Sequence, residues 1–246
     1  DPLLSHWNEL KFSDTEMRDL SPLASLTNLT HLYFCKMKVS DVSILAKLTN
    51  LILVHLSNLE VSNVSALAKL TNLTTLYLSR SQLDDVSTLA TLTSLTNLTH
   101  LHLNHAGTLT KLANLTNLTH LYLNDIQVKN VNDLTKLVNL TYLDLRNAKV
   151  NDVSALAKLV NLAHLDFRNA TVNDVSALAK LTNLKYLNLN DTQVSDVSAL
   201  AKLTNLTYLN LDGTQVSDVS ALAKLTNLTY LNLNRSINRW KVGDVR

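Results

Sequence analysis

The sequence predicts an α/β repeat, a solenoid of stacked coils with one parallel β-sheet, and three observations predict it. A 22-residue unit recurs in register from Leu162, Leu184 and Leu206, the last reading LTYLNLDGTQVSDVSALAKLTN. Within each unit the first apolar residues have the alternate spacing of a strand, and the last ones recur every three residues. A turn signal separates the two groups. A single coil cannot bury its own leucines, so the coils must stack on each other.

Each half of the unit predicts its own element. Numbered from Leu206, positions 1, 4 and 6 are apolar, which suits a short strand whose alternate side chains share a face. The turn signal follows at residues 212–215, DGTQ. The apolar residues Val219, Leu222 and Leu225 then recur every three residues, as on a helical or 3₁₀ turn. Asp218 comes directly before this segment, so we expect it to cap the segment's first N–H groups.

The pattern LxxLxL, then a turn, V-x-D-V and xxLxxL, resembles the leucine-rich repeat in the 22-residue form of internalin-like bacterial proteins. The resemblance covers nearly the whole chain. It implies a right-handed leucine-rich-repeat solenoid with a concave parallel β-sheet and short helical or 3₁₀ segments on the convex side.

One departure from that family concerns asparagine. Leucine-rich repeats often carry it at position 9, where this chain has Thr214, Thr192, Ala170, Ala148, Ile126, Ala106 and Ser81. Position 22 carries it instead: Asn28, Asn50, Asn72, Asn97, Asn117, Asn139, Asn161, Asn183, Asn205 and Asn227. We interpret these residues as an inward row whose amides bond the loop backbone of neighbouring coils.

The repeats divide the chain into three expected segments. Residues 1–28 form an N-terminal capping coil, in which Trp7 closes the open end of the core. Residues 29–233 form the solenoid, with strands starting near residues 29, 51, 73, 98, 118, 140, 162, 184, 206 and 228. Residues 234–246 form a C-terminal tail or cap, which Ile237, Trp240, Val242 and Val245 could fold over the last coil. The period is irregular only between Leu73 and Leu118.

The composition of the chain limits the kinds of partner that it is expected to bind and the cellular locations where it is expected. The net charge of the 246 residues is +2 and no basic run occurs, so nucleic-acid binding is not expected. No apolar run reaches the length of a membrane span and no signal peptide is present, although Asp1-Pro2 suggests a trimmed start. Cys35, the single cysteine, cannot form the disulfide-bonded caps of animal extracellular relatives. We expect a bacterial cell-surface or secreted protein, or alternatively a cytoplasmic one, and a monomer.

Aromatic and imidazole side chains are concentrated on two positions of the strand, 3 and 5, which point away from the core. Position 3 reads Glu9, His31, Leu53, Thr75, His100, His120, Tyr142, His164, Tyr186, Tyr208, Tyr230. Position 5 reads Lys11, Tyr33, His55, Tyr77, His102, Tyr122, Asp144, Asp166, Asn188, Asn210, Asn232. All seven tyrosines and six of the eight histidines lie here, and Arg146 and Arg168 follow at position 7. Tyrosine is enriched at interface hot spots, so these rows predict a binding face.

The candidate binding residues are therefore His31, Tyr33, His55, Tyr77, His100, His102, His120, Tyr122, Tyr142, Asp144, Arg146, His164, Asp166, Arg168, Tyr186, Tyr208 and Tyr230. The alternative is that rings simply suit an exposed parallel sheet, where they stack across strands. Eleven strands at roughly 4.8 Å give a face on the order of 50 Å long, enough for a protein–protein interface.

Other side chains suggest less. His100, His102 and His120, with His105 beside them, could bind zinc or sense pH, but no carboxylate accompanies them. Cys35 has no base identifiable from sequence, and no phosphate loop or nucleophile elbow occurs, so neither catalysis nor a cofactor is expected. Position 19 carries a row that we interpret as a solvated convex face: Lys47, Lys69, Lys136, Lys158, Lys180, Lys202 and Lys224.

These observations favour a non-enzymatic recognition module that binds a protein ligand on its concave face. By its resemblance to internalins it would be a bacterial protein that engages a host factor. Three alternatives stay open: an intracellular scaffold or regulatory subunit, a glycan-binding protein in which tyrosines stack on sugar rings, and a consensus-like engineered scaffold.

Overall fold

The computed structural model describes residues 7–59, 61, 64–79, 92–104, 109–128 and 130–236. The chain forms two compact units, residues 1–118 and residues 119–246, and each is described by itself. Both consist of repeated coils in which a short strand alternates with a 3₁₀ helix. The predicted α/β repeat solenoid is therefore confirmed. The division into a first cap, a solenoid and a tail stays a prediction, and residues 237–246 lie outside the described residues.

The strands run parallel and pair in sequence order. In the first unit these are β1 Glu9–Ser13, β2 His31–Cys35, β3 Leu53–Ser57, β4 Thr75–Ser79 and β5 His100–Leu103. In the second they are β6 His120–Tyr122, β7 Tyr142–Asp144, β8 His164–Asp166, β9 Tyr186–Asn188, β10 Tyr208–Asn210 and β11 Tyr230–Asn232. Equivalent positions face each other, and Leu76 still pairs with Leu101 across the irregular period. Each repeated side chain therefore stands beside its own equivalent.

The second half of each coil is a 3₁₀ helix, as the spacing by three predicts. The N–H of Leu222 donates to the carbonyl of Val219 at 2.8 Å, and that of Leu225 donates to Leu222 at 2.9 Å. Asp218 Oδ1 accepts the N–H of Ser220 at 2.8 Å, so it bonds the first N–H of the helix as predicted, although Val219 occupies the N-cap position itself. The described 3₁₀ helices are Ser21–Ser25, Ser43–Lys47, Ser65–Lys69, Thr110–Asn114, Asn132–Lys136, Ser154–Lys158, Ser176–Lys180, Ser198–Lys202 and Ser220–Lys224.

The turn between strand and 3₁₀ helix depends on position 8, which adopts a left-handed backbone. Gly213 has φ +70°, and aspartate or asparagine fills most equivalent positions, because these residues tolerate that region. Asp191 has φ +53° and Asn169 has φ +59°. The turn signal in the sequence therefore reports a backbone requirement that recurs in every described coil.

The core is a continuous leucine stack inside each unit. Leu165, Leu187 and Leu209 are fully buried, and the largest buried side chains are Phe34 and Phe167. Trp7, expected to close the first end of this core, is 47% exposed, and its role as a cap stays a prediction.

The asparagines at position 22 connect the coils from outside. Asn183 Nδ2 donates to the carbonyl of Val160 at 3.0 Å, and Asn205 Nδ2 donates to Thr182 at 2.8 Å, in each case one coil back. The same bond joins Asn50, Asn72, Asn97, Asn117, Asn161 and Asn227 to the coil before. The predicted inter-coil bonding is confirmed. The inward orientation is wrong, because these asparagines are exposed and only the leucines beside them face the core.

Replacing Asn183 with alanine should lower the free energy of unfolding by about 0.5–1 kcal/mol, because water replaces much of one exposed hydrogen bond. Urea denaturation measures the change. Asn173→Ala is the control, since it removes an exposed amide from the same coil but outside the row. A loss above roughly 2 kcal/mol would contradict the exposed placement and indicate a buried amide.

Candidate functional site

Rings in the first unit form a stack along position 5, which we call the first ring stack: Tyr33, His55, Tyr77 and His102. The Tyr33 and His55 ring centroids are 6.1 Å apart and tilted, those of His55 and Tyr77 are 4.7 Å apart, and those of Tyr77 and His102 are 3.9 Å apart. Lys11 Nζ lies 4.7 Å from the centroid of the Tyr33 ring and covers that end of the stack.

Rings in the second unit form a longer stack along position 3. This second ring stack runs His120, Tyr142, His164, Tyr186, Tyr208, Tyr230, with centroid spacings of 5.5, 4.1, 3.9, 4.3 and 4.3 Å. The planes of Tyr208 and Tyr230 differ by only 1°. In-register parallel strands lie roughly 4.8 Å apart, which is close to the spacing of stacked rings. The alternative explanation, cross-strand stacking, is therefore part of the structure.

Stacking decides which part of each ring meets solvent. The rings lie outside the leucine core and are half-buried, and the last, Tyr230, is 44% exposed. Each ring covers the faces of its neighbours, so the stack presents ring edges and hydroxyl groups. Burial raises the pKa of Tyr142 and of Tyr208 to about 12, so both phenols remain hydrogen-bond donors near neutral pH.

Position 5 of the second unit corrects the prediction that both rows face solvent. Asp144 is 1% exposed, Asp166 4% and Asn188 3%. Their side chains accept the backbone N–H two residues on: Asp144 Oδ1 accepts from Arg146 at 3.0 Å and Asn188 Oδ1 from Asn190 at 3.0 Å. Asn210 and Asn232 make the same bond. This local turn ends the strand after three residues, whereas β2 to β4 continue for five.

The two predicted arginines are held by these buried carboxylates. Arg146 donates to Asp144 from Nε at 2.8 Å and from Nη2 at 2.7 Å, and Arg168 Nη2 lies 3.0 Å from Asp166 Oδ2. The guanidinium side chains are 37% and 42% exposed. Burial raises the pKa of Asp166, while Arg168 opposes that shift. Sequence reasoning placed these residues together but missed Asn124. In the orientation of its amide that satisfies both groups, the nitrogen donates to Asp144 Oδ1 at 3.0 Å and the oxygen accepts from Arg146 Nη2 at 3.1 Å.

Three further predicted histidines each use one ring nitrogen in a hydrogen bond within the protein. His31 Nδ1, His100 Nδ1 and His120 Nδ1 each lie 2.9 Å from the hydroxyl of the preceding threonine. Within the residues that the structure describes, no group of three or more His, Cys, Asp or Glu side chains could hold a metal ion. His105 lies outside the described residues.

Tyr122 stands next to Tyr142, with centroids 4.8 Å apart.

Comparison with known proteins places this arrangement in a family. The model for leucine rich repeats (2 copies) matches residues 116–158, 160–202 and 204–242, just over half of the chain. The chain belongs to the leucine-rich repeat family. An internalin (inlF) from Listeria monocytogenes is 27% identical, with 96% of this chain and 83% of the other covered and a TM-score of 0.62. The repeats of this leucine-rich repeat protein are thus internalin-like. No curated protein sequence matches it.

Two other solved structures share the fold. A leucine-rich repeat protein of Leptospira interrogans is 20% identical over 95% of this chain and 68% of its own, with a TM-score of 0.76. The ectodomain of a plant membrane receptor kinase from Arabidopsis thaliana, in complex with CASPARIAN STRIP INTEGRITY FACTOR 2, is 22% identical over 93% of this chain and 31% of its own, with a TM-score of 0.62. Leucine-rich repeat proteins are in general non-enzymatic scaffolds that bind proteins.

The opposite side of this leucine-rich repeat protein carries the lysine row. Lys158, Lys180 and Lys202 each end a 3₁₀ helix and are exposed, and the other members of the row are placed alike. None of the described helices has the length and apolar character that a membrane crossing requires.

The stack should make stability depend on pH through His164. Burial lowers the pKa of His164 from 6.5 to about 4, with Arg146 and His120 adding to the shift and Asp144 opposing it. The unfolded chain therefore binds the proton more readily, so stability should fall as the pH drops from about 6.5 to about 4. Because the ring is only half-buried, we expect about 1–2 kcal/mol from this residue.

The variant His164→Tyr repeats the residue that Tyr186 and Tyr208 supply at the same position, so the stack is kept while the titrating group is removed. Urea midpoints measured across that pH range should vary less in the variant than in the wild type. Equal pH dependence in both proteins would show that His164 titrates normally.

Proposed function

We propose that this protein is a non-enzymatic recognition module that binds a protein ligand through the exposed face of its sheet, centred on the second ring stack. The observation that carries the proposal is the stack from Tyr142 to Tyr230, with spacings of 3.9–4.3 Å. Packing of the coils requires leucine, valine and asparagine but not these rings. Tyrosine offers a large rigid edge with a polar tip, which suits an interface hot spot.

The stacking geometry favours a protein over a sugar. Sugar rings bind aromatic side chains through an open face, and here neighbouring rings cover the faces of Tyr142, Tyr186 and Tyr208. Asn188 is buried, and its amide is occupied by the N–H of Asn190 and by the Tyr186 hydroxyl at 3.4 Å. Edges and hydroxyls in a long row instead match the side chains and backbone of a protein surface.

The internalin-like relatives supply a biological setting for the proposal. The internalin (inlF) comes from Listeria monocytogenes, and the similarity supports a bacterial protein displayed on the surface or secreted. A host protein as its ligand is part of the proposal. The plant receptor ectodomain, in complex with CASPARIAN STRIP INTEGRITY FACTOR 2, supports a protein ligand for the fold. The concave side of the solenoid, which carries the ring stacks in this proposal, is then the binding side.

Affinity measurements on matched variants test the proposed face. Ligand captured from host-cell extract is purified, and its affinity is measured for the wild type, for the pair Tyr186→Ala with Tyr208→Ala, and for Lys180→Ala with Lys202→Ala from the same coils. Loss of hot-spot rings should weaken binding by about thirtyfold or more, while the lysine pair should change it little. Normal binding by the tyrosine pair, with loss in the lysine pair, would place the interface on the other side.

A further inference from the structure

The paired arginines beside the second ring stack are not required by the fold, and the repeat supplies its own comparison. Asn188 Oδ1 accepts the N–H of Asn190 at 3.0 Å, and Asp144 Oδ1 accepts the N–H of Arg146 at the same distance. The amide at position 5 therefore ends the strand as well as the carboxylate does. Neither the charge at Asp144 nor the side chain of Arg146 is needed for that turn.

Negative charge at position 5 occurs together with arginine at position 7. Asp144 precedes Arg146 and Asp166 precedes Arg168, whereas Asn188, Asn210 and Asn232 precede asparagine or aspartate. A buried carboxylate is costly unless it is paired, and both aspartates are at most 4% exposed. The sequence keeps this costly group only where it can hold a guanidinium. The aspartates thus act as positioning residues for two arginines that point outward.

The two guanidinium groups are oriented but only partly engaged. Asp144 fixes one edge of Arg146 through Nε and Nη2, and Asn124 also accepts from Nη2, yet the side chain is still 37% exposed. Asp166 holds Arg168 through Nη2 alone, and Arg168 Nε is buried without an acceptor in the described structure. The N–H groups on the exposed part of each guanidinium can therefore donate to a further acceptor.

Arg235 shows, in the same unit, what a more fully used guanidinium looks like. Its Nη2 lies 2.7 Å from Asp212 Oδ2 and 3.3 Å from Asp191 Oδ1, so two carboxylates share one arginine. Arg146 and Arg168 each have an ion pair with one carboxylate. The planar guanidinium of arginine can bind a second carboxylate. Because the first carboxylate already fixes its orientation, less entropy is lost when the second one binds.

We propose that Arg146 and Arg168 form a receptor for carboxylate side chains of the protein ligand, a proposal that rests on the binding face argued above. Arg146 and Arg168 each lie two residues beyond the end of adjacent paired strands, β7 and β8, which are roughly 4.8 Å apart, and in this proposal one carboxylate accepts from both guanidinium groups. Tyr142 and His164, from the same strands, form the adjacent part of the ring stack. A carboxylate suits the site better than a phosphate dianion, because Asp144 and Asp166 repel the second negative charge.

The test uses tetraglutamate as the probe and tetraglutamine as its uncharged match, with NMR detection of the arginine Nε–H signals of the full chain. Tetraglutamate should shift the Arg146 and Arg168 signals in a saturable way, and tetraglutamine should not. The comparison variant combines Asp144→Asn, Arg146→Asn, Asp166→Asn and Arg168→Asn, which rebuilds the Asn188–Asn190 arrangement on both coils. It should keep the wild-type melting temperature while its affinity for tetraglutamate falls about tenfold or more.

Three results would overturn the proposal: no saturable shift at these arginines, equal affinity in the rebuilt variant, or tighter binding of inorganic phosphate than of tetraglutamate. The outcome is separable from that of the proposed function. A ligand that binds the rebuilt variant normally but loses affinity with the tyrosine pair would retain the binding face and remove the carboxylate receptor. If tetraglutamate shifts the arginine signals but ligand binding does not depend on the tyrosines, the carboxylate receptor would be retained and the binding face removed.

Discussion

Replacing Phe167 with alanine is expected to lower the free energy of unfolding by about 3–5 kcal/mol. Phe167 is fully buried and follows β8 at position 6, where the equivalent leucines of the adjacent coils are also fully buried. Removing the ring forfeits its transfer free energy and leaves a cavity that the fixed strand spacing cannot close. Urea denaturation followed by circular dichroism measures the loss.

The matched control is Phe167→Leu, because Leu145 and Leu189 occupy the same position in the adjacent coils and are fully buried. This change should cost less than about 1.5 kcal/mol. If alanine at residue 167 cost no more than leucine, the side chain would not be packed in the stack, and the coil model would fail at this position.

The second large effect is expected at a position that sequence reasoning treated as surface. Asp144→Ala should cost about 2–3 kcal/mol, because it leaves the Arg146 N–H and guanidinium without their acceptor. Asp144→Asn should cost less than about 1 kcal/mol, since Asn188 makes the equivalent backbone bond two coils on.

Thermal and urea denaturation of both variants at neutral pH provides the measurement. Equal stability of Asp144→Ala and the wild type would show that the carboxylate is solvated rather than buried. Equal losses for alanine and asparagine would show that the charge, and not the turn, carries the stabilisation.

The backbone of the repeat was predictable because its signals are local and recur. The spacing by three of Val219, Leu222 and Leu225 is the spacing of the 3₁₀ hydrogen bonds themselves, each apolar residue donating to the one before. The strand follows from alternation, and Asp218 identifies the cap by its offset from Ser220. Each of these inferences needs only residues close together in the chain.

The burial and hydrogen bonding of the polar side chains could not be predicted in the same way, because they depend on contacts that local sequence does not specify. Alternation places Tyr142 and Asp144 on one face, yet the ring is half-exposed and the carboxylate is buried, because Asp144 bonds the backbone N–H and the guanidinium of Arg146. Asn183 was expected inside, but its amide reaches the preceding coil along the surface. An aspartate or asparagine at a strand end, followed two residues later by arginine, asparagine or aspartate, is the signal that could have indicated the turn.

Oxidative footprinting of the complex tests the central claim, that the ring stack of the second unit is the surface that a protein ligand covers. Hydroxyl radicals react with exposed side chains, and mass spectrometry measures each residue's rate with and without saturating purified ligand. We expect Tyr142, Tyr186 and Tyr208 to be protected in the complex, while the reactivity of Lys158, Lys180 and Lys202 to an acetylating reagent stays unchanged. Unprotected tyrosines together with protected lysines would contradict the account.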